Sequence, residues 1–393
     1  MKQNIALIIE QEFDPLAGGV QQSTSKLARL FRQKGNGVVI ISIGGVEKKS
    51  LQWESIPVFY TGSDHSGELA RLLVEFKVII ALNQSGFNLR LTRILRKVLP
   101  SGTCLINTLR FNPLAFIDNH EVTIRRYFEN KKLGFLYNHI TGRIILEYHL
   151  YRQKFWYIEL LKEVDALILL SPGYRREVFR LSPGSRKFEQ KLYDIPNLFP
   201  ISDFQIPAEG KQKVILYVGR LNITEKRVDI LMHVWKKLHS ELPGWEFWVV
   251  GYGPEEAYMK DFCRDHDLGR VRFFGKDKPD SYYEKAAILH FTSASEGFPN
   301  VLVESQRYGC VPVLFNSYIA ARDIVEDGFN GFLINPFNET RFIEKTFELV
   351  NDPEKTRIMG ENCIVSSHRF SLENVYLLWE KLFQHLKIAR NSK

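Results

Sequence analysis

Short apolar runs recur along the whole chain and alternate with stretches in which apolar residues return every three or four positions. The runs predict buried strands, and the periodic stretches predict amphipathic helices. The alternation starts a second time at Val214 and continues to Ile334. Two successive βαβ series predict an α/β protein with two parallel sheets, each covered by helices on both faces. In the first half the predicted strands are Ile5–Ile9, Val38–Ile43, Val78–Leu82, Thr103–Asn107 and Val164–Leu170.

The two series are separated by Pro196–Gly210, a stretch rich in Pro, Asn, Asp and Gly. We therefore predict a first domain over residues 1–200 and a second over residues 206–370. A capping-type sequence and an apolar stripe predict a terminal helix over about residues 371–393. A chain of 393 residues is also longer than one core usually fills, so length alone favours two domains.

Charge, cysteine spacing and the length of apolar segments indicate the compartment in which the protein is expected. Residues 1–205 carry 28 Lys and Arg against 19 Asp and Glu, whereas the remaining residues carry 25 against 26, so the excess positive charge lies in the first half. The four cysteines show neither metal-ligand nor redox spacing, which favours small core residues in a reducing compartment. No segment approaches the roughly 18 apolar residues that a membrane span needs. We therefore expect a cytoplasmic protein, at most peripheral on the cytoplasmic face of a membrane.

Glycine turns follow two predicted strands of the second half. The strand Val214–Val218 runs into Gly219-Arg220-Leu221, with Lys226 six residues after the arginine. The strand Phe247–Val250 ends in Gly251-Tyr252-Gly253-Pro254. Because open parallel sheets bind ligands at the carboxyl ends of their strands, we expect Arg220 and Lys226 to face a shared crevice.

A third predicted strand, Ala286–Thr292, leads to Glu296 and, eight positions later, Glu304. Gly297 forms a turn into a short helix, whose first N–H groups and dipole favour a phosphate. Two carboxylates beside an anion are useful when they accept hydrogen bonds from hydroxyls, such as those of a sugar and a ribose. Taken alone, the pair is equally compatible with a connection that carries two solvated acids.

These motifs occur in the order found in a known family. The chain resembles the donor half of the retaining family 4 glycosyltransferases, which have the GT-B fold. That fold implies two doubly wound Rossmann-like domains facing a central cleft, with a terminal helix that crosses back to the first domain. The first half resembles the family through only two short motifs, Gly18-Gly19-Val20 and Ile195-Pro196-Asn197. The resemblance rests on Val218-Gly219-Arg220, Lys226, Gly251-Tyr252-Gly253-Pro254, Phe273-Phe274-Gly275, Ser295–Asn300, Glu304 and Gly309–Val313.

The resemblance implies roles for single residues. Arg220, Lys226 and Glu296 would be catalytic, with the two cations on the diphosphate and Glu296 on hydroxyls of the donor sugar. Glu304 would hold the ribose, and the turn Phe273–Lys276 would flank the base. The predicted donor-binding residues are Gly18, Gly19, Gly253, Phe274, Gly275, Lys276, Gly297, Phe298, Pro299, Asn300, Val301 and Glu304.

Fixed cations in a dry site stabilise a leaving diphosphate, so we expect neither a divalent metal nor another cofactor. Asp265-His266-Asp267 contains a D-x-D pattern, but it lies late in a polar helical stretch and is predicted to be solvated. Among donors we favour a UDP-sugar over a GDP-sugar. Retention of anomeric configuration is implied by the resemblance alone, since nothing in the sequence identifies a pair of carboxylates at nucleophile spacing.

The acceptor side is predicted in the first half. Gly18 and Gly19 lie in a predicted loop before the helix Gln22–Gln33, where glycines allow a ligand to approach the backbone. Many relatives place a histidine near the end of the strand Thr103–Asn107, where this chain has Arg110. Arg110, Asn112 and His120 are the acceptor-side candidates, and an equal alternative is that Arg110 caps a sheet edge.

Two stretches are compatible with a membrane surface. Residues 90–98 combine an apolar face with Arg90, Arg93, Arg96 and Lys97, as an ordinary packed surface helix also would. Residues 125–162 mix cations with aromatic residues, which suits a sugar-stacking groove or an interfacial anchor. Without a recognisable nucleic-acid module, we expect no nucleic-acid partner.

The sequence therefore predicts a glycosyltransferase that moves a hexosyl or N-acetylhexosaminyl group from a nucleotide-diphosphate sugar to a glycan or lipid-linked acceptor. Surface polysaccharide or glycolipid biosynthesis is the expected pathway. Two alternatives stay open. One is a GT-B subunit that binds nucleotide sugar without transferring it, and the other is a nucleotide-sugar epimerase.

Overall fold

The computed structural model of the chain describes residues 3–15, 18–44, 50–62, 66–114, 117, 124, 128, 138–201, 204–207 and 210–391. Contacts between residues divide the chain into two compact units. The first unit consists of Met1–Leu198 together with Leu372–Lys393, and the second of Phe199–Ser371. Each unit has its own sheet and its own apolar core.

The first unit contains an eight-stranded sheet. Its strands are β1 (Asn4–Ile9), β2 (Gly37–Ile43), β3 (Leu51–Trp53), β4 (Ile56–Thr61), β5 (Ile80–Asn83), β6 (Cys104–Leu109), β7 (Ala166–Leu169) and β8 (Leu192–Asp194). The spatial order is β3-β4-β2-β1-β5-β6-β7-β8, and among these pairs only the hairpin of β3 and β4 is antiparallel. The order changes direction between β1 and β5, which makes their carboxyl ends the topological switch point of the sheet.

The helices of the first unit cover the sheet with apolar faces. They are Gly19–Gln33, Ser66–Glu75, Leu89–Val98, His139–Glu163, Gly173–Leu181 and the terminal helix Leu372–Asn391, with a 3-10 segment over Pro183–Lys191. The terminal helix belongs to this unit because its apolar stripe is part of the core. Its Trp379 ring lies 5.5 Å from the ring of Phe31, edge to face.

The second unit contains a six-stranded sheet whose described pairs are all parallel. Its strands are β9 (Gln212–Val218), β10 (Glu246–Val250), β11 (Val271–Gly275), β12 (Ala286–Phe291), β13 (Val311–Phe315) and β14 (Phe332–Ile334). The order β11-β10-β9-β12-β13-β14 places the switch point between β9 and β12. Strands that are buried on both faces favour continuous apolar sequence, as in β13.

The helices of the second unit are Ile223–Lys226, Val228–Glu241, Glu256–Asp265, Asp280–Lys285, Asn300–Gln306, Ile319–Ile324, Glu339–Asn351 and Pro353–Ser367, followed by a 3-10 turn over His368–Phe370. Trp235 on the second of them is fully buried against Phe247 of β10, with ring centroids 5.4 Å apart. The core cluster of this unit takes alternate strand residues such as Ile215 and Tyr217 and so lies on one face of the sheet, while Leu216 and Leu314 on the other face are buried as well.

The predicted α/β class with two parallel sheets is confirmed. Two local predictions are wrong. The helix predicted from Gln22 begins at Gly19, because the carbonyl of Gly18 already accepts the N–H groups of Gln21 and Gln22. The strand predicted to end at Asn107 continues to Leu109, so that Asn107 is a buried sheet residue.

Two further observations concern composition. Cys104, Cys310 and Cys363 are buried and Cys263 is half-buried, and all four are free thiols. Among the described residues, no helix combines the length and the apolar character that crossing a membrane requires.

Candidate functional site

Three strand ends of the second unit are joined by backbone hydrogen bonds. The N–H of Gly219, after β9, donates to the carbonyl of Val250 at 3.0 Å. The N–H of Gly251, after β10, donates to the carbonyl of Gly275 at 2.8 Å. The loops that follow β9, β10 and β11 therefore form one connected surface at the carboxyl edge of the sheet, as their sequence positions predict.

Glycine is required in these loops because the backbones are in direct contact. Gly251 has φ of +147°, and a Cβ on it would lie 1.8 Å from the carbonyl oxygen of Gly219. A Cβ on Gly253 would lie 2.2 Å from the carbonyl oxygen of Leu221. Real Cβ atoms do not approach so closely, so Gly253 has a packing role whether or not it contacts a ligand.

Lys226 and Glu296 form an ion pair across the switch point between β9 and β12. Lys226 ends the one-turn helix Ile223–Lys226, which Asn222 caps by accepting the N–H groups of Glu225 and Lys226 at 3.0 Å. Glu296 lies in the loop after β12. Both side chains are largely buried, at 17% and 15% exposure. Opposite charges are thus held together where a parallel sheet binds its ligand.

The two loops that carry this pair are also joined directly. The hydroxyl of Thr292 donates to the carbonyl of Lys226 at 2.7 Å, and the N–H of Ala294 donates to the carbonyl of Glu225 at 2.7 Å. Because these bonds fix both backbones, the position of Glu296 relative to Lys226 is set by the fold of the unit.

Arg220 presents a cation on the same edge. Its side chain is exposed and forms no ion pair with a described residue. Its carbonyl accepts a hydrogen bond from the hydroxyl of Tyr217 at 2.9 Å. This bond fixes the loop to the strand β9, which contains Tyr217. Burial and the nearby Glu296 carboxylate raise the pKa of Tyr217, so this hydroxyl remains a donor. Tyr217 is a supporting residue that the sequence analysis missed.

Glu304 lies on the helix Asn300–Gln306 and is half-buried. The hydroxyl of Tyr283 donates to its Oε2 at 3.4 Å, and burial together with the Glu304 carboxylate raises the pKa of Tyr283 well above its ordinary value. The helix predicted after Gly297 is present, and it begins at Asn300. Glu304 is therefore one turn into that helix.

Between Glu296 and Glu304, some residues lie at the edge of the sheet where a ligand is predicted, and others have side chains in the core. Phe298 is 8% exposed, and its ring lies 5.7 Å from that of Phe370. The predicted contact of Phe298 with a donor would therefore involve its backbone, since its side chain is part of the core. Pro299 is also buried, whereas Gly297, Asn300 and Val301 are half-buried.

The predicted base-binding turn Phe273–Lys276 is largely the end of a strand, because Phe273, Phe274 and Gly275 belong to β11 and only Lys276 follows it. Phe274 is half-buried and packs on Tyr282, with ring centroids 4.6 Å apart. Gly275 has φ of +67°, a conformation that favours glycine. Lys276 is exposed, and its Nζ lies 5.5 Å from the ring centre of Tyr252. Aromatic rings and a cation thus line this side of the connected loops.

The D-x-D pattern is solvated, as predicted. Asp265 ends the helix Glu256–Asp265 with 62% of its side chain exposed and lies 3.5 Å from Arg264. His266 stacks on the ring of Phe262 at 4.2 Å.

The first unit has a cavity of about 330 Å³ at its own switch point. Gly18 precedes this region as the N-cap of the first helix, and neither Gly18 nor Gly19 has an atom within 4 Å of where a Cβ would stand. Open space beside these glycines is compatible with the predicted approach of a ligand to the backbone. The cavity is lined by Ile9, Glu10, Gln11, Val20, Gln21, Gln84, Ser85, Gly86, Phe87, Asn88, Thr108, Arg110 and Phe111.

Arg110 projects from the carboxyl end of β6 into a group of amides. Its guanidinium donates to Oε1 of Gln84 and to Oδ1 of Asn197. It therefore links the loops that follow β5, β6 and β8, which is more than a cap on a sheet edge. Burial lowers the pKa of Arg110 to about 9, so the group remains a cation at neutral pH. Gln84 and Asn197 were not singled out by the sequence analysis.

The other acceptor-side candidates differ from Arg110. Asn112 is 2% exposed, and its Oδ1 accepts the N–H of Leu114 at 2.8 Å, which is a turn-forming contact. His120 lies outside the described residues, as do Arg125 and most of the stretch up to Tyr137.

The basic helix Leu89–Val98 is an ordinary packed helix. Leu91 and Leu95 are buried, and Arg93 pairs with Glu159 at 2.9 Å. Arg96 pairs with Asp165 at 3.0 Å. Acids of the same unit thus offset Arg93 and Arg96, as on an ordinary packed helix, whereas Arg90 and Lys97 are exposed.

The helix His139–Glu163 carries an exposed apolar stripe. Its members follow one another at intervals of three or four residues and are from 46% to 73% exposed. Arg143 and Lys154 lie on one side of the stripe with Glu147, and Arg152 lies on the other. The stripe consists of Ile140, Ile144, Tyr148, Tyr151 and Phe155.

Two parallel sheets with ligand-type loops at their carboxyl ends define a GT-B protein. A solved structure of Anabaena HepE in complex with UDP has a TM-score of 0.72 to this chain at 17% identity, and the match covers 98% of this chain and all of the other. Residues 199–364 match the family model described as Glycosyl transferases group 1. That range contains every candidate of the second unit.

Several similar sequences carry the name of a glycosyltransferase. An uncharacterized glycosyltransferase of Haemophilus influenzae is 31% identical over 175 residues, which are 44% of this chain and 49% of that protein. The GalNAc-α-(1→4)-GalNAc-α-(1→3)-diNAcBac-PP-undecaprenol α-1,4-N-acetyl-D-galactosaminyltransferase of Campylobacter jejuni is 25% identical over 46% of this chain and 50% of that protein. The chain spans about half the length of the curated relatives that it matches.

Proposed function

We propose that the protein is a glycosyltransferase that uses a nucleotide-diphosphate sugar and transfers its sugar to a glycan or lipid-linked acceptor. The observation that carries this proposal is the Lys226–Glu296 ion pair at the switch point of the second sheet. Removing two charges from water costs more than most ion pairs return, so a largely buried pair is weak evidence for a role in stability. A ligand with phosphates for the cation and hydroxyls for the carboxylate accounts for both charges.

The proposed chemistry follows from the charge that develops. The bond between the anomeric carbon and the diphosphate oxygen breaks, and its electron pair stays on the diphosphate. Arg220 and Lys226 stabilise that negative charge, while Glu296 accepts hydrogen bonds from the sugar hydroxyls. The acceptor oxygen forms the new bond to the anomeric carbon, and its proton moves to the leaving phosphate. Retention, with both events on one face of the sugar, is part of the proposal.

The donor and its fixed contacts are also proposals. We infer that Glu304 binds the ribose and that the turn at Phe274, Gly275 and Lys276 flanks the base. A UDP-sugar is favoured, which agrees with the UDP named in the HepE structure. Arg220 and Lys226 supply the positive charge that a metal would otherwise bring, so transfer is expected to proceed in the presence of a chelator.

The test measures release of nucleoside diphosphate from separate UDP-, GDP- and ADP-sugars, with EDTA present throughout. Wild-type protein is expected to release one nucleotide slowly without acceptor and faster with one. Arg220→Ala and Glu296→Gln are expected to slow that release by about two orders of magnitude, because each removes a contact that strengthens in the transition state. The matched control is Arg264→Ala, an exposed cation of the same unit that lies away from the connected loops.

The two alternatives give different results in the same assay. Tight donor binding without release, even with acceptors present, would replace transfer with binding alone. Release of nucleotide together with an isomerised free sugar, independent of any acceptor, would indicate an epimerase.

We also propose that the exposed stripe of the helix His139–Glu163 rests on an anionic membrane surface. Apolar side chains with flanking Arg143, Arg152 and Lys154 are the combination that anionic headgroups attract. The Campylobacter relative, whose name contains a PP-undecaprenol-linked glycan, is compatible with an acceptor at such a surface. Peripheral attachment on the cytoplasmic face would bring the chain to that acceptor.

A further inference from the structure

The cavity of the first unit is lined by a cationic side chain that no described acid neutralises. Arg110 lines it, and all the hydrogen bonds recorded for its guanidinium go to the uncharged oxygens of Gln84 and Asn197. Desolvation is what lowers its pKa, to about 9, with no carboxylate acting against it. A buried guanidinium that meets only amide oxygens retains a large part of its desolvation cost.

The orientation of Gln84 adds a second, independent observation. A guanidinium can only donate, so the side-chain oxygen of Gln84 must face Arg110 and its NH₂ group must face away. That Nε2 atom is buried and has no hydrogen-bond partner, in a residue that is 1% exposed and lines the cavity. A buried donor without an acceptor is costly, and in a cavity wall it is available to donate to a ligand.

A second group without a partner among the described residues lies in the same wall. The hydroxyl of Thr108, at the end of β6, is buried and has no hydrogen-bond partner. Together, Arg110, Gln84 and Thr108 place a charged donor, an amide donor and a hydroxyl around one space. Donors of this kind suit the oxygens of a carboxylate or a phosphate.

The cavity also contains one acid. Glu10, after β1, lines the wall and is exposed, and its Oε1 accepts a hydrogen bond from Nδ2 of Asn88. No ion pair between Glu10 and Arg110 occurs in the described part of the chain. An acid that does not neutralise the cation is placed to accept hydrogen bonds from hydroxyls. The ring of Phe87, which is 55% exposed, lies 4.8 Å from that of Phe111 and offers an apolar face.

We propose that this cavity binds an acidic saccharide acceptor, whose carboxylate or phosphate group is held by Arg110 and Gln84. The inference rests on the proposed transfer function and specifies its substrate class. In this arrangement the carboxylate of Glu10 accepts hydrogen bonds from hydroxyls of the same sugar, and the sugar ring lies against Phe87. Arg110 thereby selects an acceptor by charge.

The experiment compares matched sugars by equilibrium binding to the full chain. The probes are methyl glucoside, which is neutral, methyl glucuronide, which adds a carboxylate, and glucose 6-phosphate, which adds a phosphate. At least one acidic sugar is expected to bind about tenfold or more tightly than the neutral one, because a charge-assisted contact is gained. Whichever acidic sugar is preferred identifies the anion.

Two variants test the assignment without relying on one that fails to fold. Gln84→Glu keeps the side-chain size and gives Arg110 a permanent carboxylate, so thermal stability should be retained while the preference for acidic sugars disappears. Arg110→Gln should remove the preference as well. Arg90→Gln, which removes an exposed cation of the same unit outside the cavity, should keep it.

Equal binding of acidic and neutral sugars, no binding of either, or a preference that survives in Gln84→Glu would overturn the inference. Nucleotide release in the same preparation tells this failure apart from failure of the proposed function. Release from a donor without any acid preference would leave transfer intact and remove only the acidic acceptor. An acid preference without release from any donor would overturn the assignment of the cavity to an acceptor.

Discussion

Lys226 and Glu296 are seventy positions apart in the sequence and form an ion pair in which both side chains are more than four-fifths buried. The pair connects the loop after β9 with the loop after β12. Each charge therefore compensates the other across the two loops.

The first prediction concerns the stability of this pair. Lys226→Met removes the positive charge that pairs with Glu296 and is expected to lower the free energy of unfolding by about 1–3 kcal/mol. The double variant Lys226→Met, Glu296→Gln should recover part of that loss, because no charge remains uncompensated. Urea unfolding of wild type, both single variants and the double variant gives the coupling energy.

The exposed pair of Lys260 and Glu256 is the control for this cycle. Its charged atoms lie 2.7 Å apart, the two residues are one turn apart on a helix surface, and both side chains are more than one-third exposed. Solvent screens such a pair, so its coupling is expected to be about 0.5 kcal/mol or less. Equal coupling in the two cycles would contradict the special environment of Lys226 and Glu296.

The second prediction concerns the contact between strand-end loops. Gly251→Ala places a Cβ against the carbonyl oxygen of Gly219 and requires the backbone to shift. We expect a loss of about 2–4 kcal/mol in unfolding free energy and loss of nucleotide-sugar binding, measured by chemical unfolding and by titration with UDP.

Gly269→Ala is the matched control in the same unit. The nearest atom to its Cβ would be Nε2 of His239, at an ordinary contact distance of 3.9 Å. Its stability and UDP binding should stay near wild type. Normal UDP binding in Gly251→Ala would show that the joined loops do not form the donor site.

The third prediction is a dependence of stability on pH. His290, in β12, is 1% exposed, and its Nε2 lies 3.0 Å from the hydroxyl of Thr346. Burial lowers the pKa of His290 to about 3 from 6.5. The unfolded chain therefore binds a proton that the folded chain does not between these values, so folding stability falls as pH decreases from about 6.5 towards 3.

The slope from this one group is on the order of 1.4 kcal/mol per pH unit within that window. His290→Gln removes the titrating group, so its stability should fall less between pH 6.5 and pH 4.5 than that of wild type. Urea midpoints at the two pH values, compared as differences, provide the test. An identical pH dependence of both proteins would mean that His290 binds a proton as readily in the folded chain as in the unfolded chain.

The fourth prediction concerns the stripe on the helix His139–Glu163. Flotation with vesicles that contain phosphatidylglycerol should recover wild-type protein, and vesicles of phosphatidylcholine alone should recover much less, because both apolar and charged contacts contribute. The double variant Ile144→Ser, Tyr151→Ser should lose most of this binding. Both residues are 63% exposed, so their replacement leaves the fold unchanged.

Val74→Ser removes an equally exposed apolar residue of the same unit, at 62%, and should bind vesicles as wild type does. Binding that is insensitive to the double variant would place any membrane contact elsewhere on the chain.

Sequence reasoning located the strands well because their signal is local. β9 was predicted over Val214–Val218 and extends over Gln212–Val218, and β10 gained one residue. Strands buried on both faces show as continuous apolar runs, which need no knowledge of distant residues. Three strands of the first unit, β3, β4 and β8, were missed. β3 has three residues of which two are exposed, so it shows no such run.

Side-chain partners were harder to predict because they depend on packing between distant segments. The sequence predicted that Lys226 and Glu296 lie at strand ends of one sheet. That their side chains pair can be recognised only from the path of the backbone through the two loops. Arg93 has acidic partners about seventy positions away on another helix, so its apparent free charge was misleading. Gln84 carries no motif, and its importance appears only when Arg110 fixes its orientation.

The second unit begins and ends at neighbouring positions. Phe199, its first residue, pairs with Ser371, its last, and the N–H of Phe199 donates to the carbonyl of Phe370 at 2.9 Å. The unit is therefore an insertion with adjacent termini, and a foreign segment with the same spacing between its ends could replace it without stretching the host chain. Exchange of whole donor modules between relatives is thus open to evolution, and to the experimenter, through two junctions that lie side by side.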